Sequence, residues 1–211
     1  MSLFLGKIHY WLFNKIVWFE NLEKEIIKAA EKTNIDVEKA KKEIEAKYGE
    51  ITPDMPLEDM IDTDNIHGWL QGKIHSAEGR MAAWVRTITD NNPDDIVKIQ
   101  NVYITQGIKA ANEIKEENIE IHTAAEMYNK INDYILDGMP CDRVDEIVEN
   151  TPDTITWVKT ICVHKDVWEK ENVSVNQFYK LRDLWIEAFV NTVNSDFQYV
   201  KNDNGSFSIK K

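Results

Sequence analysis

The chain has 211 residues, 43% of them hydrophobic, which suits one globular domain with a substantial core rather than a disordered segment. Twenty-five basic residues against 37 acidic ones leave a formal charge of −12, which speaks against nucleic acid or an anionic membrane as the partner. No apolar run reaches membrane-spanning length, the start from Met1 to Ile8 lacks the features of a signal peptide, and Cys141 and Cys162 are too few for a disulfide framework, so a cytoplasmic setting is expected.

In chain order, Leu5, Ile8, Leu12, Ile16, Phe19, Ile26 and Ala30 recur at helical spacing and predict a helix over 3–31. A second, highly charged helix is expected over 34–48, ended by Gly49, and a loop over 50–62 broken by Pro53 and Pro56. Helices over 64–90, 93–118 and 123–136 follow, the middle one started by Pro93 and the last ended at Gly138. Pro140 predicts a short sixth helix to about Glu149. After Pro152 the pattern changes: residues 154–164 are dense in β-branched residues and alternate with period two, as a strand does. Ser174 is an expected N-cap for a helix to about Asn194. Asn204-Gly205 between two alternating runs predicts a closing hairpin with a tight I′ turn. The expected fold is mainly α: a multi-helix bundle over 1–150 and a small α+β segment over 151–211 (strand, helix, hairpin), packed together as one domain.

The third helix carries the pattern with most chemical content. At about 100° per residue, Leu70, Ile74, Ala77, Met81, Trp84 and Ile88 form an apolar face, and Gly68, Gly72, Ser76, Gly79 and Ala83 form a small-residue stripe. Between them run His67, Gln71, His75, Glu78 and Ala82. A polar stripe flanked by two packing faces needs partners, which can be side chains, a metal or a ligand. In the first helix His9 and Glu20 share the edge of an apolar stripe, at the same eleven-residue spacing as His67 and Glu78. The tetrapeptide Gly-Lys-Ile-His occurs at 6–9 and again at 72–75. In the expected strand, Cys162 and His164 share a face and make a possible ligand or nucleophile pair. His122 and Glu126, four residues apart, are a further pair. The metalloprotease, di-iron, phosphate-loop, dinucleotide and nucleophile-elbow motifs are absent from the sequence.

From about Thr154 onward, the strand bearing Cys162, the region of Trp168, the helix ending in Ala188-Phe189 with Asn194, and the closing hairpin resemble the end of L-2-amino-thiazoline-4-carboxylic acid hydrolase-like proteins. The resemblance implies a small-molecule hydrolase or a ligand-binding scaffold, with Cys162 as the matching candidate.

These readings converge on a protein that binds a small ligand or a divalent transition metal (Zn, Fe, Mn or Ni) in a pocket of the bundle. His67, His75, Glu78, His9 and Glu20 are the expected metal ligands, and Gln71, Trp69 and Arg80 the expected contacts to an organic ligand. One alternative is a hydrolase using Glu78 as general base, or Cys162 as nucleophile beside His164. Another is a self-associating scaffold with no site at all, which uses the glycine stripe and the tryptophans to form a homo-oligomer.

Overall fold

The computed structural model describes residues 5–211, so residues 3 and 4 of the expected first helix lie outside the described residues. Helix α1 spans Lys7–Ala30 and begins where the Gly6 amide donates to His9 Nδ1 at 2.9 Å. Leu12, Ile16, Phe19, Ile26 and Ala30 form its buried stripe as the periodicity predicts, whereas Ile8 is 49% exposed and Lys15 is buried. Helix α2 (Val37–Tyr48) is capped by Asp36, which accepts from the Lys39 amide, and ends at Gly49 with φ 81°. It buries only Ala40 and Ile44, and its charged face lies towards solvent.

Helix α3 (Ile66–Asn91) is the central element, buried almost all round from Ala77 to Val85. Its small-residue stripe serves α2 within the same chain: the Ser76 hydroxyl donates to the Tyr48 carbonyl, and a Cβ on Gly79 would overlap the Tyr48 ring. Gly72 faces open space, so the stripe is used over only part of its length. After a 3-10 turn at Pro93–Asp95 come α4 (Ile96–Glu116) and α5 (Ala124–Tyr134), the latter started by a capping box between Thr123 and Glu126.

The expected helix over 140–149 is not formed. A 3-10 turn at Pro140–Asp142 and left-handed Arg143 (φ 50°) lead instead into strand β1, Asp145–Asn150. The proline reads as a helix start locally, but Ile147 and Val148 favour extended backbone, and antiparallel pairing with β2 (Thr154–Lys159) supplies the ladder. Strand β2 is shorter than expected and ends before Cys162, because the chain turns inward to bury His164 and starts α6 (Lys165–Lys170), a helix the alternation concealed. Ser174 caps α7, Val175–Val193, as predicted. Strands β3 (Gln198–Lys201) and β4 (Phe207–Lys210) form the closing hairpin. Its turn is wider than the two-residue I′ type: only Gly205 has positive φ, and Asn204 Oδ1 accepts from the Ser206 amide at 3.0 Å.

The sheet has the order β1-β2-β4-β3 and is antiparallel throughout, so β1, ahead of residue 151, joins the C-terminal strands. Ile155, Trp157, Phe207 and Ile209 are buried towards the helices, with Tyr199 ring-stacked on Trp157 and Phe207. The molecule is thus mainly α with a small C-terminal antiparallel sheet, and no described helix is long and apolar enough to cross a membrane.

Helices α4 and α7 pack closest of all. A Cβ on Gly107 would overlap the Trp185 carbonyl oxygen and lie 3.2 Å from its carbonyl carbon. Backbone cannot rotate away as a side-chain tip can, so Gly107→Ala is expected to cost about 2 kcal/mol in urea denaturation despite alanine's better helix propensity. A stabilised variant would show that the two helices separate freely.

Candidate functional site

Most of the sequence-predicted residues fall into three separate places, with Cys162 and the His122/Glu126 pair outside them. His67 and His75 are exposed, and His75 Nε2 is 2.9 Å from Gln71 Nε2. His9 is buried, its Nδ1 is occupied by the Gly6 amide, and its ring lies 6.0 Å from that of His67. Trp69 packs against Phe13 under Lys73. The two Gly-Lys-Ile-His copies therefore differ in structure: one caps a helix and the other lies on an exposed helical face.

Glu20 belongs to a second place. It joins Arg80, which is wholly buried and fully paired: Nε donates to both Glu23 oxygens (3.0 and 2.9 Å), Nη2 to Glu20 (2.6 Å), and Nη1 to Ser76 Oγ (2.7 Å) and the Glu50 carbonyl (3.1 Å). Glu20 also accepts from the Thr52 amide and hydroxyl. Every nitrogen of this guanidinium has a partner within the protein, which makes Arg80 a clamp between α1, α3 and the loop after α2. Among the described residues, no group of three His, Cys, Asp or Glu side chains is arranged to hold a metal ion. His122 is exposed, and the Glu126 carboxylate is taken by the His122 and Thr123 amides of the capping box.

The third place unites Glu78 with His164. The imidazole is fully buried, with Nδ1 2.9 Å from Glu78 Oε1 and Nε2 2.8 Å from Asp137 Oδ1. Burial alone would lower the His164 pKa; the charge of Glu78 and the hydrogen bonds to both carboxylates outweigh it and raise it to about 9. An imidazolium with both nitrogens committed has no lone pair to act as a base. Cys162 lies apart, exposed, and its Sγ accepts from the Tyr179 hydroxyl at 3.1 Å, so the shared strand face expected for Cys162 and His164 does not form. Asp137 also meets Arg182 at 3.1 Å and Lys159, which reaches Asp145 at 2.7 Å. Burial would push the Asp137 carboxyl up, but Arg182, His164 and Lys159 hold it well below the ordinary carboxylate range. This network joins α3, α7, the segment after α5 and β2.

Next to it is a cavity of about 30 Å³, lined by Phe19, Tyr103, Tyr134, Phe178, Arg182 and Trp185 among others. That volume suits about one or two water molecules rather than an organic ligand.

The large concavity lies elsewhere. A groove of about 930 Å³ runs between α1 and α4, lined by Lys24, Lys28, Lys32, Lys98 and Lys109 with Trp18, Asn21, Asn101 and Thr105. Lys24 and Lys28 are four residues apart on α1 and so share one face, and Lys32 lies in the turn just past the helix end. Glu25 is the acidic residue of the lining and is paired with Lys28; Lys98 is paired with Asp95. Lys24, Lys32 and Lys109 carry no ion pair among the described residues. Trp18 and Gln106 line both groove and cavity, and Gln106 locks them together: its Nε2 donates to the Trp18 carbonyl (2.8 Å) and its Oε1 accepts from Trp185 Nε1 (3.0 Å).

Compared with known proteins, the chain matches no family model, and no curated protein or solved structure is significantly similar to it.

Proposed function

We propose that the protein binds a small polyanionic molecule in the groove between α1 and α4. The observation that carries this reading is the convergence of five lysines on one concave surface of a chain whose formal charge is −12. A surface chosen only for solubility would scatter its minority charge, whereas a groove that concentrates it raises the local concentration of anions. The volume is that of a small-molecule site. The small-ligand part of the sequence expectation thus moves from the His67–Gln71–His75 face, which lies on an exposed flank of α3, to a surface of α1 and α4.

The Glu78–His164–Asp137 network has a positioning role in this reading: it fixes α3 and α7, and α7 in turn holds α4 through Trp185 and Gln106.

Titration calorimetry with sodium tripolyphosphate, at low ionic strength and without divalent cations, tests the proposal. Binding in the micromolar range is expected, weakening as salt rises. In the exposed-site variant Lys24→Gln/Lys28→Gln/Lys109→Gln it is expected to fall about tenfold or more, each lysine contributing a few tenths to 1 kcal/mol. Binding of equal strength in the triple variant, or no binding to the unaltered protein, would overturn the reading.

A further inference from the structure

Trp18 occupies a place that electrostatics does not require. It is half-buried among the lysines of the groove, with the Lys109 ammonium 5.5 Å from its ring centroid. Tyr134 packs against it edge-on with centroids 4.8 Å apart, and the Gln106 bond to its carbonyl ties its turn of α1 to α4. The indole is therefore held in position at the groove rather than free on a surface. A tryptophan flanked by cations offers a π-face to a planar ring while the cations meet the charge attached to that ring. Asn101 and Thr105, also lining the groove, add an amide and a hydroxyl that can hydrogen-bond to a ring edge.

We infer that the anion this groove takes is a nucleotide, its phosphate chain on Lys24, Lys28 and Lys109 and its base against Trp18. The inference rests on the anion-binding reading and narrows it from any polyphosphate to one bearing a flat heterocycle. Lys109 now covers the indole, and on binding its ammonium moves from the ring to the phosphates, exchanging a cation–π contact for a stronger charge pair and freeing the face for the base.

The test compares ATP, GTP, CTP and UTP with tripolyphosphate by calorimetry on the full chain, without divalent cations. Stacking adds about 1–3 kcal/mol per base, so at least one nucleotide is expected to bind about tenfold or more tighter than tripolyphosphate and to quench tryptophan fluorescence. In Trp18→Leu the ratio of nucleotide to tripolyphosphate affinity is expected to collapse towards one, and in Trp18→Phe to persist in part; a thermal melt of each variant establishes that it is folded. If tripolyphosphate binds and no nucleotide binds tighter, the nucleotide inference is overturned while the anion site stands. If the preference survives in folded Trp18→Leu, the base does not lie on Trp18 and the inference is likewise overturned. If neither probe binds, both proposals fall.

Discussion

His164→Gln is expected to lose about 3–5 kcal/mol of stability, because it removes the cation shared by two buried carboxylates and leaves Glu78 with no charged partner. The loss has a pH signature. The imidazole pKa lies at about 9 in the folded chain against an ordinary 6.5, so the folded state binds more protons between those values. Stability from His164 is therefore fully present below pH 6.5 and is lost as pH rises through about 9, an effect of about 3 kcal/mol. Lys15 acts with the opposite sign. Burial lowers its pKa to about 8, so the unfolded chain binds more protons from about pH 8 upward and stability recovers there. The steepest loss is then expected between pH 6.5 and 8. Urea denaturation of the unaltered chain and of His164→Gln across pH 6 to 9 checks this: the difference between them should shrink with pH, since the Lys15 contribution is common to both. A constant difference would mean that the buried imidazole is neutral throughout.

Arg80→Met is the second large effect, about 3–5 kcal/mol by the same measurement at pH 7. It strands Glu20 and Glu23 in the core, both almost wholly buried. Burial already raises the Glu23 pKa to about 7 against the opposing charge of Arg80, and without the guanidinium that carboxyl is expected to be protonated. Adding Glu20→Gln and Glu23→Gln to Arg80→Met should restore most of the loss, because neutral amides remove the stranded charge. A cost below about 1 kcal/mol for Arg80→Met alone would contradict the clamp.

Long periodic helices were legible in the residues because their apolar stripes recur at helical spacing, and Ser174 caps where expected; the caps at Asp36 and Thr123 come from the structure. The helix predicted over 140–149 failed because pairing with β2, a long-range effect, overrode a local proline signal. The stretch 154–164 read as one strand because β-branched residues continue past Lys159, whereas what ends the strand is the burial of His164 against residues 86 and 27 positions away. Glu78 was legible as a polar residue between packing faces and His164 as a candidate beside Cys162, and the fold brings the two together; Glu20 and Arg80, named as a metal ligand and a ligand contact, are instead partners of each other. The lysine groove was missed for a different reason. Its signal, Lys24, Lys28 and Lys32 at four-residue spacing, is visible in the chain but vanishes in the net charge, and Lys98 and Lys109 join it only through helix packing.

The bond between Gln106 and Trp185 spans 79 residues of sequence, and the same two helices meet at Gly107 with no room for a methyl group. Such a junction closes a longer loop than the 57 and 60 residues between Arg80 and its partners on α1, so it is expected to form after them. Helices α1 to α3 can assemble from shorter-range contacts, while α4 receives its partner only once α7 has been ordered. The floor of the groove is then expected to be completed late in folding, and in hydrogen exchange the amides of α4 should report the docking of α7 as one cooperative unit.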